Sequence, residues 1–342
     1  MQEREHVMNR YAGHWAAWPP VTGAAVMATG ILSVGLSLAG FEVVSVVALC
    51  LATALWLLLA FGFTALLLGD RRRWAVTADT PPALTAVAAT TVLGVRFEGL
   101  GLTPVAVSLL VLAAVVWPVM LVAVLRHLPR RAPGAVFLIC VATQGLAVLC
   151  AVLAPEAGDW LARVALGLFL LGLVLYVDAL ARFDVRQVVT GAGDQWIAGG
   201  ALAISALTGS KLLASGIWSG GAATTLRTTT LVLVALDLAW YAVLLCAEFA
   251  RPRLGYDVRR WATVFPLGMT AVASLSVAAA TGVAWLEALG RVLLWIAVAV
   301  WLPTSYCFAR SLMGHARDRS SPAVGDRRPP RIRRTPGDRH PR

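Results

Sequence analysis

Thr22-Gly23-Ala24-Ala25-Val26-Met27-Ala28-Thr29-Gly30 and, one apolar span later, Leu55-Trp56-Leu57-Leu58-Leu59 set the pattern of this chain. The first stretch is small and hydroxylated; the second is bulky and aliphatic. In a bilayer, small and hydroxylated helices approach one another closely, while bulky aliphatic ones suit lipid. The contrast repeats. Ala86-Val87-Ala88-Ala89-Thr90-Thr91-Val92-Leu93-Gly94, Val141-Ala142-Thr143-Gln144-Gly145, Gly199-Gly200-Ala201-Leu202-Ala203-Ile204-Ser205 and Gly268-Met269-Thr270-Ala271-Val272-Ala273-Ser274 are of the first kind, and Leu168-Phe169-Leu170-Leu171 is of the second.

The chain is 59% hydrophobic and only 14% charged, against about 25% charge in soluble domains. This composition specifies an integral membrane protein. Spans of roughly 20 residues fit the hydrocarbon thickness. Ten are read, at about 16–38, 43–68, 81–97, 103–125, 134–153, 160–181, 193–213, 226–248, 262–284 and 287–309. Odd-numbered spans are small and hydroxylated, and even-numbered spans are rich in Leu, Val and Trp. The expected fold is all-α and polytopic, with five helical hairpins around a central pore formed by the odd-numbered helices. Residues 1–15 are expected as a cytoplasmic N-terminal segment without a cleavable signal, 16–310 as the transport domain, and 311–342 as a disordered basic cytoplasmic tail.

Loop charge sets the expected orientation. One side carries Arg71, Arg72, Arg73, Arg126, Arg130, Arg131, Arg182, Arg186, Arg251, Arg253, Arg259 and Arg260; the other carries Arg96, Arg163, Lys211, Arg227 and Arg291. The richer side is expected to be cytoplasmic, with both termini there, in a multi-pass protein of the cell membrane. The tail suits anionic lipid headgroups. Nucleic acid is not an expected partner, since no base-reading module accompanies the tail.

Cys50, Cys140, Cys150, Cys246 and Cys307 all fall in apolar spans without CxxC spacing. They read as small buried hydrophobes, and neither a metal site nor a cofactor is expected. His6, His14, His127, His315 and His340 lie outside the spans, which argues against a histidine relay through the bilayer. No HExxH or Asp-rich diphosphate motif appears, and an enzyme is not expected.

The candidate pore-lining residues are Thr29, Thr90, Thr91, Thr143, Gln144, Ser205, Thr270 and Ser274. They offer dipoles without fixed charge. No acidic ring of the kind cation channels use is visible, and the basic mouths attract anions. Asp178, Asp237 and Glu248 lie on even spans. Asp237 is the deepest, a candidate for either a proton site or a structural hydrogen bond.

Two motifs are more specific. Trp18-Pro19-Pro20 leads into Met27-Ala28-Thr29-Gly30-Ile31-Leu32-Ser33, and Arg260-Trp261-Ala262-Thr263-Val264-Phe265-Pro266-Leu267-Gly268 opens the ninth span. Together they resemble the tellurite-resistance/dicarboxylate transporter family, which includes yeast malate permeases, sulfite efflux pumps and the plant guard-cell slow anion channel. The resemblance implies five hairpins around a pore, a homotrimer with one pore per subunit, and a pore-blocking phenylalanine at Phe265. Pro266 and Gly268 are the expected hinge of that gate. The expected activity is passage of small inorganic anions or C4-dicarboxylates. The alternative is proton-coupled export of sulfite, a dicarboxylate or a tellurium oxyanion.

Overall fold

Ten long helices account for most of the described chain, and their composition explains which of them are buried. The computed structural model describes residues 21–252 and 257–320. Trp18-Pro19-Pro20, the segment 1–15, Arg253 and the tail beyond 320 lie outside the described residues. The helices are α1 (Val21–Leu38), α2 (Glu42–Gly69), α3 (Thr85–Glu98), α4 (Thr103–His127), α5 (Leu138–Ala157), α6 (Asp159–Arg182), α7 (Ile197–Ala214), α8 (Gly220–Ala250), α9 (Trp261–Thr281) and α10 (Ala284–Ser320). Two short helices, Arg71–Ala78 and Gln187–Thr190, lie in connections.

Eight of the helical segments are long and apolar enough to cross a membrane. The other two long helices are shorter in their apolar part: α1 contributes Gly23–Leu38, and α3 has 14 residues preceded by a 3₁₀ turn at Pro81–Leu84. The protein is an all-α polytopic membrane protein.

Burial follows the composition. In the apolar windows of α5, α7 and α9, 94%, 83% and 89% of residues are buried, whereas α2, α4, α6, α8 and α10 range from 22% to 33%. Val43, Val47, Leu57, Phe61, Val115, Val119, Val174 and Val177 point outward from the even helices. That surface would be untenable in water and is natural in lipid. Cys50 and Cys246 share it: both are exposed, unlike the buried Cys140 and Cys150. The expectation of buried cysteines therefore fails for these two, because an even helix turns much of its circumference outward.

The odd helices close into a ring. Helix α1 packs on α3, α3 on α5, α5 on α7, α7 on α9, and α9 back on α1. Each odd helix also packs on its successor: α1 on α2, α3 on α4, α5 on α6 and α7 on α8. For α9 and α10 the contact is Gly290, where an added Cβ would stand 2.8 Å from Leu275 Cγ and 3.1 Å from the Ala271 carbonyl oxygen. Glycine sets the close approaches within the ring too. A Cβ on Gly145 would collide with the Thr91 hydroxyl, and one on Gly268 would stand 2.9 Å from Ile31 Cγ2.

The connections repeat as the helices do. Helices α3, α5, α7 and α9 each open with a 3₁₀ turn. Every odd-to-even turn holds a glycine with positive φ: Gly40, Gly101, Gly158, Gly216 and Gly282. That conformation reverses the chain within a few residues and costs glycine little.

The chain divides into two compact units after Thr304. In the second, α10 continues to Ser320, ten residues past the boundary at 310 read from hydropathy. Ala, Leu, Met and Arg sustain a helix whether or not lipid surrounds them.

Candidate functional site: the axis of the ring

Five helices of like direction leave a narrow space along their common axis. A narrow cavity of about 20 Å³ lies there, lined by Ile31 and Val34 of α1, Thr91, Val92 and Val95 of α3, Gly145 and Val148 of α5, Ile204 and Leu207 of α7, and Met269 of α9. All five odd helices contribute. The lining is almost wholly apolar; its hydroxyl, on Thr91, donates to the Ala88 carbonyl at 2.9 Å.

Of the eight polar residues expected on the pore, Thr91 lines this cavity. Others are engaged with the outer helices. Thr29, Thr90 and Thr143 accept hydrogen bonds from the indole nitrogens of Trp301, Trp56 and Trp117, at 3.0, 2.9 and 3.0 Å. Gln144 Nε2 donates to the Phe169 carbonyl of α6 at 3.1 Å. Thr270 donates to Asp237 Oδ1 of α8 at 3.2 Å. Ser205 and Ser274 each donate back one turn, to the carbonyls of Ala201 and Thr270. The indole bonds carry no local sequence signal, since each depends on one helix being packed on another.

Residues four apart share a helix face. On α9, Phe265 therefore lies one turn before Met269, which lines the cavity. On α7, Gly200 lies one turn before Ile204, which also lines it. The two positions meet: a Cβ on Gly200 would stand 3.4 Å from Phe265 Cε1 and 3.1 Å from Pro266 Cγ. Phe265 is 2% exposed. Pro266 lies inside α9 and has no N–H for the Ala262 carbonyl. Bringing Phe265 against Gly200 at the level just below an axial cavity is the geometry that a steric closure needs.

The sequence pattern of the voltage-dependent anion channel family matches residues 18–309. The chain belongs to that family. The match takes in both motifs from which the tellurite-resistance/dicarboxylate resemblance was read. A partial similarity, 38% identity over 147 residues, links the chain to YddG, an aromatic amino acid exporter of Ancylobacter novellus. It covers 40% of this chain and 50% of that protein, so the chain spans about half the length of that curated relative.

Most charged groups near the ring of this family member are paired or buried. Arg96, at the end of α3, is 2% exposed. Its guanidinium is held by the Glu42 carboxylate, and its Nε donates to Ser45 Oγ at 3.0 Å. Ser45 and Ser33 in turn donate to each other's backbone carbonyls, at 2.6 and 2.7 Å. Arg96 is thus a clamp between α2 and α3 and not a free cation at the mouth. Asp178 pairs with Arg182 at 3.0 Å. Asp237 is fully buried, with Oδ2 lacking any partner among the described residues. Outside the spans, Arg259 bonds Asp257, whose carboxylate pushes the guanidinium pKa up from its ordinary value and keeps it cationic. Among the described residues no cluster of His, Cys, Asp or Glu could hold a metal ion.

Proposed function

We propose that this protein passes small anions along the axis of the five-helix ring, through a pore closed by Phe265. The observation that carries the reading is the axial cavity to which all five odd helices contribute, with Phe265 one turn from its edge. An apolar wall holds no anion tightly, and a ring one turn below it obstructs by size and dehydration, as hydrophobic constrictions do. No carboxylate lines the cavity, so nothing there favours a cation. Ten membrane crossings, with both termini in the cytoplasm of a cell-membrane homotrimer, complete the proposal. The arginine-rich loops support the orientation, and the family supports the trimer. Pro266 and Gly268 supply the yielding segment on which the ring moves.

Flux through liposomes holding the purified protein tests the reading. The panel is chloride, nitrate, sulfite, malate and tellurite, plus an aromatic amino acid in view of the partial likeness to an exporter of those. Selective flux of anions supports the reading. Flux of the amino acid without anions overturns it.

A second reading, proton-coupled export of sulfite, a dicarboxylate or a tellurium oxyanion, is favoured by one observation. Asp237 is buried in the span region with one carboxylate oxygen unpartnered, as a proton-carrying site requires. A pH gradient applied across the same liposomes separates the two readings.

A further inference from the structure

The mouth opposite Phe265 carries a cation that no described residue neutralises. Two basic residues belong to odd helices at that end, Arg96 on α3 and Lys211 on α7. Arg96 is consumed by Glu42 and Ser45. The Lys211 side chain makes no hydrogen bond or ion pair among the described residues. Other cations at the same end are occupied or exposed: Arg227 donates to the Thr281 carbonyl at 2.7 Å, Arg291 pairs with Glu287 at 2.7 Å, and Arg163 is exposed on an even helix. The acid at the end of α3, Glu98, accepts from Thr103 Oγ1 at 3.2 Å and forms no ion pair with Lys211.

Helical periodicity puts Lys211 over the axis. Ile204 and Leu207 line the cavity, and Lys211 follows them at seven and four residues on the same face. Helix α9 does likewise: Met269 lines the cavity, and Ser276 follows at seven residues. Seven residues rise about 10 Å, so Lys211 and Ser276 stand at one level beyond the cavity, on two helices that pack together. Ser276 is 5% exposed, and its hydroxyl has no partner. Serines in helices ordinarily bond back to the preceding turn, as Ser205, Ser210 and Ser274 do here. A buried hydroxyl with no acceptor is costly unless something else takes the bond.

We propose that Lys211 and Ser276 form an anion-binding site at this mouth, which loads the pore with a monovalent inorganic anion. The site rests on the reading of the axis as an anion pathway, and it narrows the substrate. One ammonium and one hydroxyl match a single negative charge. A C4-dicarboxylate needs a second cation, and Arg96 is not free to be one. An alternative role for Lys211, in the last turn of α7, is to offset the negative end of the helix dipole. That role affects folding and leaves anion affinity alone.

Chloride flux is measured against chloride concentration in liposomes holding purified, monodisperse wild type, K211Q, K211R, S276A and R291Q. The half-saturating concentration should rise about 5-fold in K211Q and about 2-fold in S276A, from loss of local field and of one donor. It should rise less in K211R, which keeps the charge, than in K211Q, and stay unchanged in R291Q, and malate flux should be far below chloride flux in wild type. A K211Q protein that conducts with unaltered half-saturation overturns the site; if K211Q does not fold, unaltered half-saturation in S276A does so. A wild type that carries no anion removes the functional reading itself, and this site with it.

Discussion

The indole nitrogen of Trp301, in the last long helix, donates to the hydroxyl of Thr29 in the first at 3.0 Å. The same bond joins α2 to α3 through Trp56 and Thr90, and α4 to α5 through Trp117 and Thr143. Each runs from an even helix to the odd helix that follows, and Trp301 to Thr29 completes the circuit from end to start. A polar bond in hydrocarbon is favoured because neither group finds water when unpaired. A tryptophan also fills the seam with its ring.

These seams should stabilise the closed ring. Trp301→Phe keeps most of the ring volume and removes the donor, so it should cost about 1 kcal/mol. Trp301→Ala removes the packing as well and should cost about 3–5 kcal/mol. Thermal unfolding in detergent checks both. Equal melting temperatures for Trp301→Phe and wild type would show that the hydrogen bond contributes nothing.

At the seam between α8 and α9 the inner hydroxyl, Thr270, donates to Asp237. If that carboxylate serves as a structural acceptor in place of an indole, Asp237→Asn keeps the acceptor oxygen. Flux and its response to a pH gradient should then stay within about 2-fold of wild type, the scale of a kept hydrogen bond with modestly altered strength. Loss of pH-driven transport in a protein that folds and traffics normally would instead assign Asp237 the proton.

The alternation of small and bulky spans makes the ring legible in the sequence, because lipid and helix contacts select for different side chains. The family resemblance was legible in Phe265-Pro266-Leu267-Gly268 for a different reason: Pro266, without an N–H, and Gly268, without a Cβ, give the start of α9 a distinctive local backbone. The lining of the axis was not legible. Hydroxyl residues were expected there, yet Thr29, Thr90 and Thr143 bond to tryptophans of neighbouring helices, while Ile31, Val92 and Ile204 face the cavity. A polar group in hydrocarbon goes to whatever partner is within reach, and sequence spacing along one helix does not reveal a partner on another. Arg96 follows the same logic: its charge is visible in sequence, but the Glu42 that holds it is 54 residues away.

The uneven distribution of arginine predicts which side each mouth faces. In a cysteine-free background, Arg72→Cys should be protected from an impermeant thiol reagent applied to intact cells, and Arg291→Cys should be labelled. Both native residues are exposed, so burial does not confound the comparison. Labelling of Arg72→Cys from outside reverses the orientation and moves the Lys211 mouth to the cytoplasm.

The gate is the sharpest test. Phe265 lies against Gly200, one turn from a cavity walled by Val, Ile, Gly and Met. A phenyl ring closes a narrow opening by bulk and by withholding hydration, and has no charge with which to bind or select an anion. Phe265→Ala should therefore raise anion conductance and leave the preference for anions over cations unaltered, because the arginines and Lys211 remain. Phe265→Leu keeps much of the bulk and should fall between. A ring that only packs the core predicts something else: its truncation costs about 3–5 kcal/mol and lowers the yield of folded protein without opening a path. Planar-bilayer recordings on monodisperse Phe265→Ala separate the two, with the melting temperature measured on the same sample. A rise in current from a destabilised but folded protein fits the gate. Unchanged current from a folded protein rejects it, and assigns the ring to the packing of α9 on α7.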